Sequence, residues 1–152
     1  MHIGLISDTH GLMRPEALDA LQGCECILHA GDIGDPAVLD ALGRIAPVTA
    51  IRGNNDTAEW ARELPETRVL RLGEVAVYMM HDLKELTARP AGAPVDVIVA
   101  GHSHKPLVET RDGVLIVNPG SAGRRRFRLP ITVARLRIDG RRVEAAIVEL
   151  DV

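Results

Sequence analysis

Residues 24–45 read CECILHAGDIGDPAVLDALGRI. CECILHA is apolar on both faces, the pattern of a strand covered from both sides. GDIG interrupts it. Asp35 then stands as an N-cap ahead of Pro36, which suits the first helical position because it has no N–H to leave unpaired and its φ is already set. PAVLDALGRI spaces its apolar residues as a helix does. Upstream, HIGLIS reads as another buried strand and PEALDALQ as a helix that begins at Pro15 and stops at Gly23. Downstream, PVTAI is a third strand that ends in RGNND. The order strand, helix, strand, helix, strand predicts a parallel sheet with helical crossovers.

Beyond residue 66 the pattern changes. TRVLRLG and EVAVYMMHD read as two strands turning at Gly73, and LKELTA as a short helix stopped by Pro90. PVDVIVAGHSH holds another buried strand. PLVETRDGVLIVNPG and ITVARLRIDGRRVEAAIVEL each contain a D-G pair between apolar runs, a hairpin signal. This half is expected to be mostly antiparallel. The expected fold is α/β with α+β-like mixing: a two-sheet β-sandwich flanked by helices, as a single domain over residues 1–152.

Composition bounds the function. The chain has 152 residues, 46% hydrophobic and 26% charged, with a net charge of -3. A negative molecule with only Trp60, Tyr78 and Phe127 as aromatics is poorly equipped to bind nucleic acid. No apolar run is long enough to suggest a membrane span, and the N-terminus reads as a strand rather than a signal segment, so a cytoplasmic protein is the default expectation. Cys24 and Cys26 read as small buried residues, since neighbours on one strand face are poorly placed to pair.

The polar residues fall where the strands end. Asp8 and His10 follow the first strand, Asp32 the second, Asn54 the third. His81 follows VAVYMM, and His102 and His104 follow VDVIVA. Strand C-termini in open α/β sheets gather at one edge, where ligands bind. Imidazole, carboxylate and amide oxygen, without thiolate, suit Mn, Fe, Co, Ni or Zn. Seven ligands exceed the four of a closed tetrahedral site and match two ions sharing a carboxylate, an arrangement used for phosphate ester hydrolysis.

These motifs (ISDTHG, HAGDIGD, RGNND, GHSHKP and NPGS) resemble those of the calcineurin-like metallophosphoesterases, and most of all the small YfcE-type phosphodiesterases. The resemblance implies a metallophosphoesterase fold and a metal-dependent phosphodiesterase or phosphoesterase using a metal-bridging hydroxide on a small phosphate ester. It implies two divalent ions, manganese first, with Ni, Fe, Zn and Co compatible. Asp8, His10, Asp32 and His104 would hold one; Asp32, Asn54, His81 and His102 the other, with Asp32 bridging. Where many relatives carry a proton-donating histidine after the asparagine, this chain has Asn55, which favours leaving groups that need little protonation. Where relatives usually carry glycine after the ligand histidine, this chain has Asp82, and the second site's affinity turns on it. The family also includes a small retromer subunit that serves as a scaffold with a degraded metal site, so a non-catalytic protein-binding scaffold is the alternative.

Asn55 and Asp56 are the candidate catalytic residues, Asp56 as a group orienting Asn54 or the water. His29 is assigned to support or packing. Arg52 is a candidate phosphate contact or a solvated side chain. The run Arg124, Arg125, Arg126 reads as a solvated loop, a subunit contact or a phosphate clamp, and a homo-oligomer is left open.

Overall fold

A computed structural model of the chain describes residues 1–86 and 94–152. Among the described residues, ten strands form two five-stranded sheets. In the first, β1 (His2–Ile6), β2 (Cys26–His29) and β3 (Val48–Ala50) run parallel, with α1 (Pro15–Ala20) and α2 (Pro36–Gly43) as crossovers. The Asp35 side chain accepts the Ala37 N–H at 2.8 Å, the cap its sequence promised. The second sheet contains β4 (Thr67–Leu72), β5 (Val75–Met80), β6 (Val97–Val99), β7 (Leu107–Arg111) and β8 (Val114–Asn118). Its spatial order is β4-β5-β6-β8-β7. β9 (Thr132–Asp139) and β10 (Arg142–Glu149) return to the first sheet, where β9 pairs antiparallel with β1.

Two expectations change here. The hairpins β4–β5, β7–β8 and β9–β10 are antiparallel, but β5, β6 and β8 run parallel. An edge hairpin strand, β7, stands between β6 and β8 in sequence and lets the chain re-enter in the same direction. Of the LKELTA helix, the described residues 83–86 form a single 3₁₀ turn, Leu83–Glu85. Its expected stop at Pro90 lies outside the described residues.

Strand alternation separates three apolar layers. Ile3, Leu5 and Leu28 of the first sheet meet Val77, Met79, Val97, Val99 and Val117 of the second, between the sheets. Ile6 and Ile27 turn the other way, onto Ala17, Leu21, Val38 and Leu42 of the helical layer. Tyr78, Met80, Ile98 and Ile116 face the far side of the second sheet, under Leu83 and Leu86. Each fully buried Leu, Ile or Met contributes about 1.5–3 kcal/mol, so the sandwich is held chiefly from within. Parallel β1–β2–β3 and parallel β5–β6–β8 bring six strand C-termini to one edge. Cys24 and Cys26 carry no disulfide. Among the described residues, no helix is long and apolar enough to cross a membrane.

Candidate metal centre

Past Ile6 and His29 the first two strands stay paired as they leave the sheet. The Asp8 N–H donates to Gly31 O at 3.0 Å and the His10 N–H to Asp32 O at 2.9 Å. This pairing holds Asp8, His10 and Asp32 at φ of 55°, 46° and 55°. His102 and His104 take the same left-handed conformation, at 69° and 63°. Two glycines make the turns possible by standing against carboxylates. A Cβ on Gly53 would collide with the Asp32 carboxylate and backbone, and one on Gly101 with Ser7 Oγ and Asp8 Oδ2.

All the expected ligands arrive at this edge, in two groups. The ligand atoms of Asp8, His10 and His104 lie within 4.8 Å of one another, as do those of Asp32, His81 and His102. His104 Nε2 is 3.4 Å from Asp8 Oδ1, and His81 Nε2 is 3.3 Å from Asp32 Oδ2. Asp32 Oδ2 also lies 3.8 Å from His10 Nε2, so one oxygen stands between the groups. Asn54 joins the second group through His102, its Oδ1 3.2 Å from the ring Nδ1.

The supporting bonds show which atoms are left for a cation. His81 Nδ1 sits 2.7 Å from Ala30 O and can only donate to it, which leaves Nε2 as the ring atom turned to the site. Asp8 Oδ2 accepts the Ser7 hydroxyl at 2.7 Å and the His102 N–H at 3.0 Å, which leaves Oδ1. Asp8 Oδ1, His10 Nε2 and His81 Nε2 are buried with no hydrogen-bond partner. An orphaned buried polar atom costs about 1–3 kcal/mol, and three that converge from two chain segments suit a divalent ion with nitrogen and oxygen ligands.

Charge arranges itself accordingly. Burial raises the Asp32 carboxyl, but His81, the Asn55 N–H and His10 bring it down to about 2. Burial likewise raises Asp8, and His104, Ser7 and His81 outweigh it, for a net lowering. Burial lowers His81, yet Asp32, Ala30 O and Asp8 push it up to about 9. A proton on His81 thus balances the two carboxylates, and an ion ligated at Nε2 would have to displace it.

Several residues take places the sequence did not specify. Asp56 is buried and turned away from the ligands: its carboxylate accepts the N–H groups of Ile33 (3.1 Å), Gly34 (3.1 Å) and Gly53 (2.9 Å). It clamps the Asp32 turn to the Gly53 turn. Asn55 donates to both Asp32 oxygens, from its backbone at 2.8 Å and from Nδ2 at 3.0 Å. Asp82 caps the 3₁₀ turn through Oδ1 and leaves Oδ2 3.7 Å from His102 Nε2, at the rim of the second group. Arg52 pairs with Glu66 at 3.1 Å. Arg125 donates to Leu129 O and Val152 O, while the charge of Arg126 is felt at His10. Ser7 and Asn118 had drawn no attention as single residues. Asn118 donates to Gly101 O at 2.9 Å and Ser103 Oγ at 3.1 Å, pinning the GHSH turn. The NPG that follows a buried strand was the available signal for Asn118.

His29 is fully buried beneath the site. It accepts the Gly31 N–H on Nδ1 at 3.1 Å, so its proton sits on Nε2, 3.0 Å from Thr9 Oγ1. Thr9 in turn donates to Ile33 O. Burial drives the His29 pKa from 6.5 down to about 4. The unfolded chain therefore takes up this proton first. Stability from this group is fully present above pH 6.5, falls as pH drops toward 4, and is constant below. The expected loss across that window is about 3 kcal/mol. Urea unfolding of metal-free protein at several pH values should show it as the difference in pH dependence between wild type and His29→Gln. Parallel curves would mean that His29 is not held neutral.

Residues 1–141 match the calcineurin-like phosphoesterase superfamily domain. A probable metallophosphoesterase of Methanothermobacter thermautotrophicus is 36% identical over 160 aligned positions, covering 97% of this chain and 92% of the relative. Among solved structures, the zinc complex of Vps29 from Entamoeba histolytica superposes with a TM-score of 0.77 at 24% identity, over 98% of this chain and 99% of that one. Yfce, a phosphoesterase from E. coli, gives 0.72 at 22% identity, over 99% and 100%. At those identities the two structures speak for the fold alone. The family match spans both sheets and every strand end that carries a ligand, and by it the chain belongs to the calcineurin-like phosphoesterase superfamily.

Proposed function

We propose that the protein is a two-ion phosphoesterase whose preferred substrates are diesters. The observation that carries this reading is the convergence of three orphaned ligand atoms, Asp8 Oδ1, His10 Nε2 and His81 Nε2, around a carboxylate that both groups share. Asp8, His10, Asp32 and His104 would hold one ion, and Asp32, Asn54, His81 and His102 the other. When bound, such ions supply Lewis acidity toward the phosphate and toward the attacking water.

The chain's own residues do the positioning. Ser7 fixes the unshared oxygen of Asp8, Ala30 O fixes the ring of His81, and Asn118 fixes the turn that carries His102 and His104. Asn55 holds Asp32 and has no proton to give a leaving alkoxide. A general acid contributes about 10²–10⁴-fold, and in its absence low-pKa leaving groups are favoured. All seven ligand residues are retained, which argues against the alternative of a protein-binding scaffold with a retired site.

Elemental analysis after manganese saturation is expected to give two ions per chain. That protein should hydrolyse bis-4-nitrophenyl phosphate readily and alkyl phosphomonoesters slowly. Chelation should remove both ions, the activity, and several degrees of melting temperature, since the ions bind only the folded state. Full activity with one ion per chain, or with chelator present, refutes the reading.

A further inference from the structure

A cavity of about 250 Å³ opens beside the second ligand group. Asn54, His81 and His102 form its inner end, where the buried Nε2 of His81 has no hydrogen-bond partner. Tyr78 and Met80, from the outer face of the second sheet, give it an apolar floor. Four charged residues line it: Arg52, Glu66, Asp82 and Glu85. Arg52 is already paired with Glu66. Asp82 already faces His102 Nε2 at 3.7 Å, so among the described lining residues Glu85 is the carboxylate without a basic partner, and the exposed Lys84 beside it does not line the wall. The space equals that of roughly eight waters, enough for a small alcohol moiety.

We propose that this cavity receives the organic arm of the phosphate ester and selects an arm that is cationic, such as an aminoalkyl or alkylammonium group, against one that is anionic. The proposal rests on the phosphoesterase reading and deepens it. A phosphate held at the two ligand groups would find room for a substituent in this cavity, which His81 and His102 also line. There the floor accepts methylene groups, and the wall carries Asp82 beside His102 and the unpaired carboxylate of Glu85. Two dications alone would favour a substituent with a carboxylate. A preference for a cation therefore isolates the contribution of the wall.

The probes are three non-hydrolysable phosphonates of similar size: 2-aminoethylphosphonate, propylphosphonate and 3-phosphonopropionate. Calorimetry with manganese-loaded protein should rank them in that order of affinity. The expected span is roughly tenfold or more, as for one charge interaction near a protein surface. Glu85→Gln should compress the span severalfold and leave propylphosphonate unchanged. Equal affinities, the reverse order, or a span that Glu85→Gln does not alter overturns the proposal. Hydrolysis of bis-4-nitrophenyl phosphate by the same preparation separates the two readings. Hydrolysis with flat affinities removes the pocket and keeps the esterase; ranked affinities without hydrolysis do the opposite.

Discussion

Asp32→Asn is expected to lower kcat/KM for bis-4-nitrophenyl phosphate by on the order of 10³-fold and to leave fewer than two manganese ions per chain. The substitution keeps the shape and removes the charge. Asp32 Oδ2 lies 3.3 Å from His81 Nε2 and 3.8 Å from His10 Nε2, so this one carboxylate faces both groups. A unit charge about 4 Å from another is worth about 4 kcal/mol at the effective dielectric near a protein surface, which corresponds to about a thousandfold. Losing an outer partner of a ligand costs only about 10–100-fold. Asn55→Ala, which removes one such partner, should fall in that lower range. Elemental analysis and initial rates on the same samples check both claims. An Asp32→Asn protein within tenfold of wild type would show that no ion depends on Asp32.

Asp56→Ala should lower the free energy of unfolding by about 3–6 kcal/mol, from two or three backbone donors left without an acceptor. That is a large part of the 5–15 kcal/mol that holds a typical domain together, so roughly half the stability. The donors are Ile33, Gly34 and Gly53, and Asp56 itself is only 4% exposed. Asp56→Asn should lie between, since one amide oxygen still accepts. Urea unfolding of metal-free protein tests this without interference from bound ions. An unchanged midpoint would mean that water already satisfies those donors.

Asp56 also marks the limit of what could be read from the residues. The candidate ligands could be placed because each follows an apolar run, and a strand end fixes where a residue lies along the chain and at which sheet edge. That was enough to bring Asp8, His10, Asp32, His81, His102 and His104 to one edge. The direction of a side chain within a turn is set by partners far away in sequence. Asp56 looked like a catalytic neighbour of Asn54, yet its carboxylate answers N–H groups more than twenty residues upstream as well as its own turn. Ser7 and Asn118 were missed for the same reason, since their value lies in what they touch. The parallel run β5–β6–β8 was hidden because hairpin signals report only on adjacent strands. Of the helix expected from LKELTA, the described residues form one 3₁₀ turn, because Leu86 is already extended after it.

Five of the candidate ligand residues sit at positive φ, and for side chains other than glycine that conformation costs about 1 kcal/mol each or more. Glycine at Asp8, His10, Asp32, His102 or His104 would relieve the backbone. The metal-free fold and the metal-loaded protein therefore prefer different sequences at the same five positions. A chain under pressure only to fold, or only to present a surface to a partner, would gain stability by drifting to glycine there. This one keeps carboxylates and imidazoles in backbone conformations that suit them least, a cost that the proposed ions would offset when bound.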